Sequence, residues 1–189
     1  MTYDMFAKLL AIKALRMENG SISIFDRSMV IVPTEVLLKL RETIEKRLGS
    51  EEADRLMFET GEFQTSSGSV RYLAKKKDLR PFFQQLPMTG DPSIEMGREI
   101  LKLTGMGDTT ICEITKDFNK VVVSTRNSPL AHEYLKTRGK SKRPVCHYLL
   151  GIVSGVLGAT GQKGYVAKEI SCAATGLSDE CIFEFKRPK

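Results

Sequence analysis

Cys146, Glu169, Cys172 and Cys181 put three thiols and one carboxylate into the last quarter of a 189-residue chain. Thiolates and a carboxylate are the soft and borderline donors of a tetrahedral zinc site, and four protein ligands leave no open position for a substrate or an activated water. Such a site would be structural. The spacing, Cys-x22-Glu-x2-Cys-x8-Cys, contains no Cys-x2-Cys knuckle. Free cysteine is also among the most often buried residue types. From spacing alone, a metal site and three unrelated reduced thiols both stand.

Other residues with chemical potential read more plainly. His147 adjoins Cys146, but neighbours on a helix point about 100° apart, so it is not expected to share the ion. His132 reads as a half-buried helix residue and Cys112, inside an apolar alternation, as a core thiol. No Ser-His-Asp order, paired catalytic carboxylates, or nicotinamide or flavin fingerprint is present. The glycine-rich stretch 158–164 follows a helix rather than a strand and lacks the phosphate-loop pattern.

The elements that must position the four donors follow from periodicity. Apolar positions at helical intervals predict a helix over 3–17, ended by Asn19-Gly20. Ile22 and Ile24, then 29–32, predict a hairpin turning at Asp26-Arg27-Ser28. Thr34 is placed to cap a helix whose apolar stripe is Leu37, Leu40, Ile44 and Leu48, with Gly49 at its end. Ser50-Glu51-Glu52 starts another helix running to about Gly61, followed by a polar loop and a short helix over 69–77. Asp91-Pro92-Ser93 opens a helix that Gly105 closes. A second hairpin spans 109–115 and 120–125, and Ser128-Pro129 begins a short helix.

Pro144 then starts the most apolar helix, with Gly151, Ser154, Gly155 and Gly158 on one side to admit a close neighbour. Segments 164–173 and 181–186 pair as a last hairpin. On this map Cys146 lies in the first turn of the apolar helix, where the amide ends favour a thiolate, and the other donors lie at the facing ends of the hairpin. Glu169 and Cys172 have opposite parity along a regular strand, so a bulge or a strand end must intervene for both to reach one ion. Lys168 and His147 are the candidates to offset the excess negative charge.

The order Asn127-Ser128-Pro129, Pro144-Val145-Cys146-His147, Gly151, Glu169, Cys172, Gly176 and Cys181-Ile182-Phe183 resembles the 4-vinyl-reductase-type domain, closely over 127–185 and more loosely upstream. The resemblance implies an α+β fold: a helical N-terminal part, an antiparallel sheet crossed by a long apolar helix, and a C-terminal hairpin stapled by zinc. It assigns Cys146, Glu169, Cys172 and Cys181 to a structural zinc beside a small apolar pocket. It further implies kinship in fold with nitric-oxide-sensing and Golgi transport-particle domains, and a tendency to pair. The family's phenol sensors grip the hydroxyl with a His and a Trp; this chain contains no Trp and no matching His.

Composition sets the frame. The length suits a single domain, with a mostly helical part over 1–108 and the sheet, crossing helix and metal site over 109–187. At 41% hydrophobic and 28% charged residues, the chain is that of a globular protein, without a run approaching a membrane span. The charged N-terminus lacks the features of a signal peptide, and four cysteines without one suit a reducing cytoplasm. The net charge of +6 gathers at 75–77, 136–143 and 186–189. No nucleic-acid-binding motif accompanies it, so any nucleic-acid binding is expected to be non-specific.

These readings point to a cytoplasmic, dimeric module that binds or senses an apolar, aromatic or hydrocarbon ligand, with zinc as a structural cofactor. Phe82, Phe83, Leu86 and Met88, around Pro81 and Pro87, and Tyr148, Ile152 and Val156 on the apolar helix are the expected pocket residues. The alternatives are an enzyme or accessory of vinyl-group reduction in tetrapyrrole metabolism, and a ligand-free dimeric scaffold.

Overall fold

A computed structural model describes residues 15–24, 27–66, 97–99, 101–102, 104–159 and 164–188. Among the described residues, three short antiparallel strands come first: β1 (Leu15–Glu18), β2 (Ser21–Ile24) and β3 (Arg27–Met29), in that order across the sheet. Asn19 and Gly20, with φ of 50° and 76°, form the two-residue turn that joins Glu18 to Ser21. The end of the helix expected over 3–17 is therefore a strand. Asn-Gly is the preferred dipeptide of such a hairpin because both positions need positive φ. Its hairpin preference prevails over the last positions of that apolar periodicity, 15–17; residues 3–14 lie outside the described residues.

Helix α1 (Thr34–Leu48) begins after Pro33, so Thr34 is its first residue and not its cap. Leu38 and Arg41 are its buried positions, whereas Leu40 and Leu48 of the expected stripe are 47% and 60% exposed. The buried guanidinium is held by α2 (Ser50–Ser66): Arg41 pairs with Asp54 Oδ1 at 2.9 Å as well as with Glu45 at 3.0 Å. An ion-paired side chain thus faces inward, rotating the helix from the orientation its leucines alone suggest. Helix α2 continues five residues beyond Gly61, into the expected polar loop, because Gly61 and Thr65 face another helix rather than solvent. The expected helices at 69–77 and 91–96 fall outside the described residues. Residues 97–99 and 101–102 are helical, and Gly105 (φ 74°) follows them.

Strands β4 (Asp108–Ile114) and β5 (Lys120–Arg126) form the second hairpin. Ser128 caps α3 (Pro129–Arg138), its hydroxyl oxygen accepting from the Ala131 amide. Helix α4 (His147–Ala159), strand β6 (Val166–Ser171), a 3-10 turn (Ala173–Thr175) and strand β7 (Glu180–Lys186) complete the fold. The sheet order is β4-β5-β7-β6, antiparallel throughout.

Helix α4 is buried almost all round. It shares one hydrophobic cluster with Val121 and Val123 of β5 and Phe183 and Phe185 of β7. Each of these side chains contributes roughly 1.5–3 kcal/mol by leaving water. Gly151 and Gly155 of α4 serve helix-to-helix contact, whereas Gly158 meets nothing within 4 Å among the described residues: a Cβ on Gly151 would stand 2.0 Å from the Phe58 carbonyl oxygen of α2, and one on Gly61 would stand 2.0 Å from that of Tyr148. Thr65 seals the seam by donating to the Ile152 carbonyl at 3.1 Å. Among the described residues, no helix is long and apolar enough to cross a membrane.

Candidate metal centre

The local backbone brings the four donors together from three elements. Cys146 precedes α4 rather than lying in its first turn: its carbonyl accepts the first helical bond, from the Leu150 amide at 2.9 Å. Glu169 is the buried position of β6. The pairing of β6 with β7 shifts register between Glu169 and Ser171, so Ile170 is an extra residue and the strand ends just before Cys172. That bulge resolves the parity conflict between Glu169 and Cys172 and aims both inward. Cys172 sits at the head of the 3-10 turn, and Cys181 lies on β7 opposite Thr125.

The sulfur of Cys146 lies 3.9 Å from that of Cys172 and 3.6 Å from that of Cys181. Each of the four residues contributes one ligand atom to a group lying within 4.8 Å of one another, and all four residues are buried. A tetrahedral zinc with bonds of about 2.3 Å to sulfur would hold thiolates about 3.8 Å apart, so the donor set fits the ion's size. Glu169 Oε2 accepts from the Cys146 amide at 2.9 Å, while its buried Oε1 has no hydrogen-bond partner among the described residues. A buried acceptor without a partner costs about 1–3 kcal/mol. A cation among the sulfurs would remove that cost.

Protonation follows from the crowding. Burial, then the neighbouring Cys172, push Glu169 up to about 9. Cys146 is pushed well above the usual thiol range because it donates to the sulfurs of Cys172 and Cys181 and is buried. Cys181, accepting from Cys146 and Cys172 and from the Ala173 amide at 3.4 Å, is lowered to about 4. The expected thiolate-favouring influence of the helix end on Cys146 is thus outweighed by its sulfur neighbours.

The residues expected to offset the charge face elsewhere. Lys168 is exposed, next to buried Glu169 on a strand whose side chains alternate. His147 Nδ1 lies 3.2 Å from Asp54 Oδ1, without the alignment of a hydrogen bond, and burial lowers its pKa. Asp54 and Glu45 also receive Arg143, at 2.9 and 2.8 Å, so the segment leading into Cys146 is fastened to α1 and α2. On its other side that segment joins the 3-10 turn through the Ser141 amide and the Ala174 carbonyl, 2.8 Å apart.

Two further expectations are corrected. Cys112 is exposed, not a core thiol, because the register of β4 against β5 shifts between Ile111 and Glu113 and leaves it as the extra residue. His132 is exposed on α3. Among the pocket residues, Tyr148, Ile152 and Val156 are buried, and the Tyr148 hydroxyl donates to Gln64 Oε1. Phe82, Phe83, Leu86 and Met88 lie outside the described residues. Of the basic run 136–143, Arg138 pairs with Glu42 and Arg143 with Glu45 and Asp54, so two of its cations are committed within the fold. Sequence reasoning missed this ion-pair group; Arg41 at a buried helix position was its only signal.

No family model matches the chain and no curated protein matches it. Solved structures do. The phenol-responsive sensory domain of the transcription activator PoxR, in complex with phenol, superposes with a TM-score of 0.72 at 21% identity, over 99% of this chain and 90% of that one. A vinyl-4-reductase family protein from Methanocaldococcus jannaschii gives 0.50 at 17% identity over 100% and 96%. Subunit 3 of the trafficking protein particle complex from Naegleria fowleri, covalently bound to palmitic acid, gives 0.51 at 10% identity over 82% and 95%. The chain therefore has the fold of the vinyl-4-reductase-type domain, which it shares with a phenol-responsive sensory domain and a trafficking-complex subunit.

Proposed function

We propose that this protein binds or senses a small apolar molecule, aromatic or hydrocarbon, and that Cys146, Glu169, Cys172 and Cys181 hold a structural zinc. The observation that carries the ligand reading is the wall formed by Tyr148, Ile152 and Val156 along one side of α4. Its residues are 9%, 1% and 5% exposed, its last member faces Gly97, and its first ends in a hydrogen-bonded phenol. Apolar linings with a few oriented polar groups are the usual form of small-molecule sites. Phe82, Phe83, Leu86 and Met88 are proposed to close the opposite side. Folds similar to this one include a domain responsive to phenol and a subunit bound to palmitic acid, which supports an apolar ligand of modest size. The metal reading rests on a donor set that matches zinc in size and chemistry and leaves no position for substrate, which favours a structural over a catalytic ion.

A thermal-shift panel of substituted benzenes, alkanes and fatty acids tests the ligand reading. At least one class should raise the melting temperature with concentration. A uniform lack of response would contradict it.

The second reading, a dimeric scaffold, draws on exposed apolar side chains. Val30 and Ile31 are each 82% exposed, and Val36 and Leu40 lie one turn apart on the outer face of α1 at 49% and 47%. Pairing through this strip is compatible with ligand binding. Light scattering of the purified chain, repeated on Ile31→Glu, decides whether it pairs there.

A further inference from the structure

Three thiolates and a carboxylate around a dication leave the site doubly negative, and among the described residues neither candidate cation faces it: Lys168 is exposed and His147 turns to Asp54. Neutral donors surround it instead. The Cys146 amide reaches Glu169 Oε2 at 2.9 Å, the Ala173 amide reaches the Cys181 sulfur at 3.4 Å, and the Ser128 hydroxyl lies 3.4 Å from the Cys146 sulfur. Only the last belongs to a side chain outside the ligand set.

Ser128 is 1% exposed. Its oxygen accepts from the Ala131 amide at 3.4 Å, which accounts for its role as a helix cap. Capping uses a lone pair and leaves the hydroxyl hydrogen unassigned; the Cys146 sulfur is the partner in reach. A metal-bound thiolate has no proton to give, so in that state the hydroxyl must be the donor. The corner that delivers it is specific. Asn127, between β5 and Ser128, adopts φ 54°, and Pro129 starts α3 immediately after. The turn in the chain therefore places one hydroxyl between a helix end and a ligand sulfur.

We propose that Ser128 is a positioning residue for the metal centre, its hydroxyl donating to the Cys146 thiolate and so raising the affinity with which the site holds its ion. The inference rests on the metal reading above. Hydrogen bonds to ligand atoms lower the energy of the sulfur lone pairs and fix their direction, and losing such a partner typically weakens metal binding by roughly 10- to 100-fold.

The test compares the full chain with Ser128→Gly, Ser128→Ala and Ser128→Thr. Gly nearly preserves a helix cap but has no hydroxyl, and Thr retains both functions. Zinc affinity is read by competition with a chromophoric chelator, and cobalt substitution reports the sulfur-to-metal charge-transfer band. The Gly and Ala variants should bind zinc roughly 10- to 100-fold more weakly, with the band moved to lower energy, and Thr should restore both. Wild-type affinity and an unmoved band in the Gly variant would overturn the proposal. A wild-type chain that takes up neither zinc nor cobalt would overturn the metal reading beneath it.

Discussion

The backbone amide of Cys146 donates to one oxygen of Glu169, at 2.9 Å, and leaves the other oxygen buried in the cysteine cluster without a hydrogen-bond partner among the described residues. This joins the start of α4 to strand β6 through a carboxylate that is half used. The unused half, together with the sulfur spacing, is what a metal ion would complete. It follows that metal, α4 and the C-terminal hairpin should respond as one unit.

Removing the ion should therefore loosen the hairpin and the start of α4 together. Chelator treatment is expected to lower the melting temperature substantially, and Cys172→Ser to do the same without chelator. Cys112→Ser, at an exposed bulge, should change neither metal content nor stability. Differential scanning fluorimetry with metal analysis checks all three.

Metal uptake should release protons. In the metal-free protein Glu169 stands at about 9 and Cys146 well above the usual thiol range, so both carry protons at pH 7. Ligation needs both deprotonated, so affinity should fall as pH falls. Calorimetric titration in buffers of different ionisation enthalpy measures the number released. Glu169→Gln should release about one proton fewer and bind more weakly; a count independent of this residue would show that it does not ligate.

The register of these elements was only partly legible in the sequence. Apolar alternation and turn residues marked both hairpins of the main sheet, and Glu169 and Cys172 announced the bulge between them by their parity. Asn19-Gly20 could end a helix or turn a hairpin, and the backbone pairing beyond it decides. The inward face of α1 was hidden because Arg41 is buried by partners at Glu45 and Asp54, one of them on another helix. Leucine spacing cannot announce a tertiary ion pair. Cys112 illustrates the same limit, since a bulge of one residue turns an inward position outward.

The ion-pair group itself should matter for stability. Asp54 accepts from both Arg41 and Arg143 and adjoins His147. Asp54→Ala leaves the Arg41 guanidinium buried with one partner fewer. The expected loss is roughly 3 kcal/mol, the lower end for breaking a buried pair because Asp54 keeps some solvent contact. Denaturant unfolding measures it, and a loss below about 0.5 kcal/mol, within the range of an ordinary surface change, would mean the group is incidental.

The seam between α2 and α4 offers a steric prediction. A methyl group at Gly151 would meet the Phe58 carbonyl, and one at Gly61 the Tyr148 carbonyl, both backbone atoms that cannot swing aside. Gly151→Ala and Gly61→Ala should each destabilise by roughly 1–3 kcal/mol or more through forced separation of the helices. Gly158→Ala, with nothing within 4 Å among the described residues, should be neutral or slightly stabilising, as Ala favours a helix. Equal effects at all three positions would argue against the observed packing.

Native mass spectrometry of the purified protein tests the central claim most directly, because it weighs metal and ligand on the intact fold. The account predicts a chain carrying one zinc that survives desalting, with added mass when a compound selected by thermal shift is present and with Cys146, Cys172 and Cys181 resistant to alkylation. A folded chain at its bare polypeptide mass, with those three thiols freely alkylated and no compound retained, would contradict it.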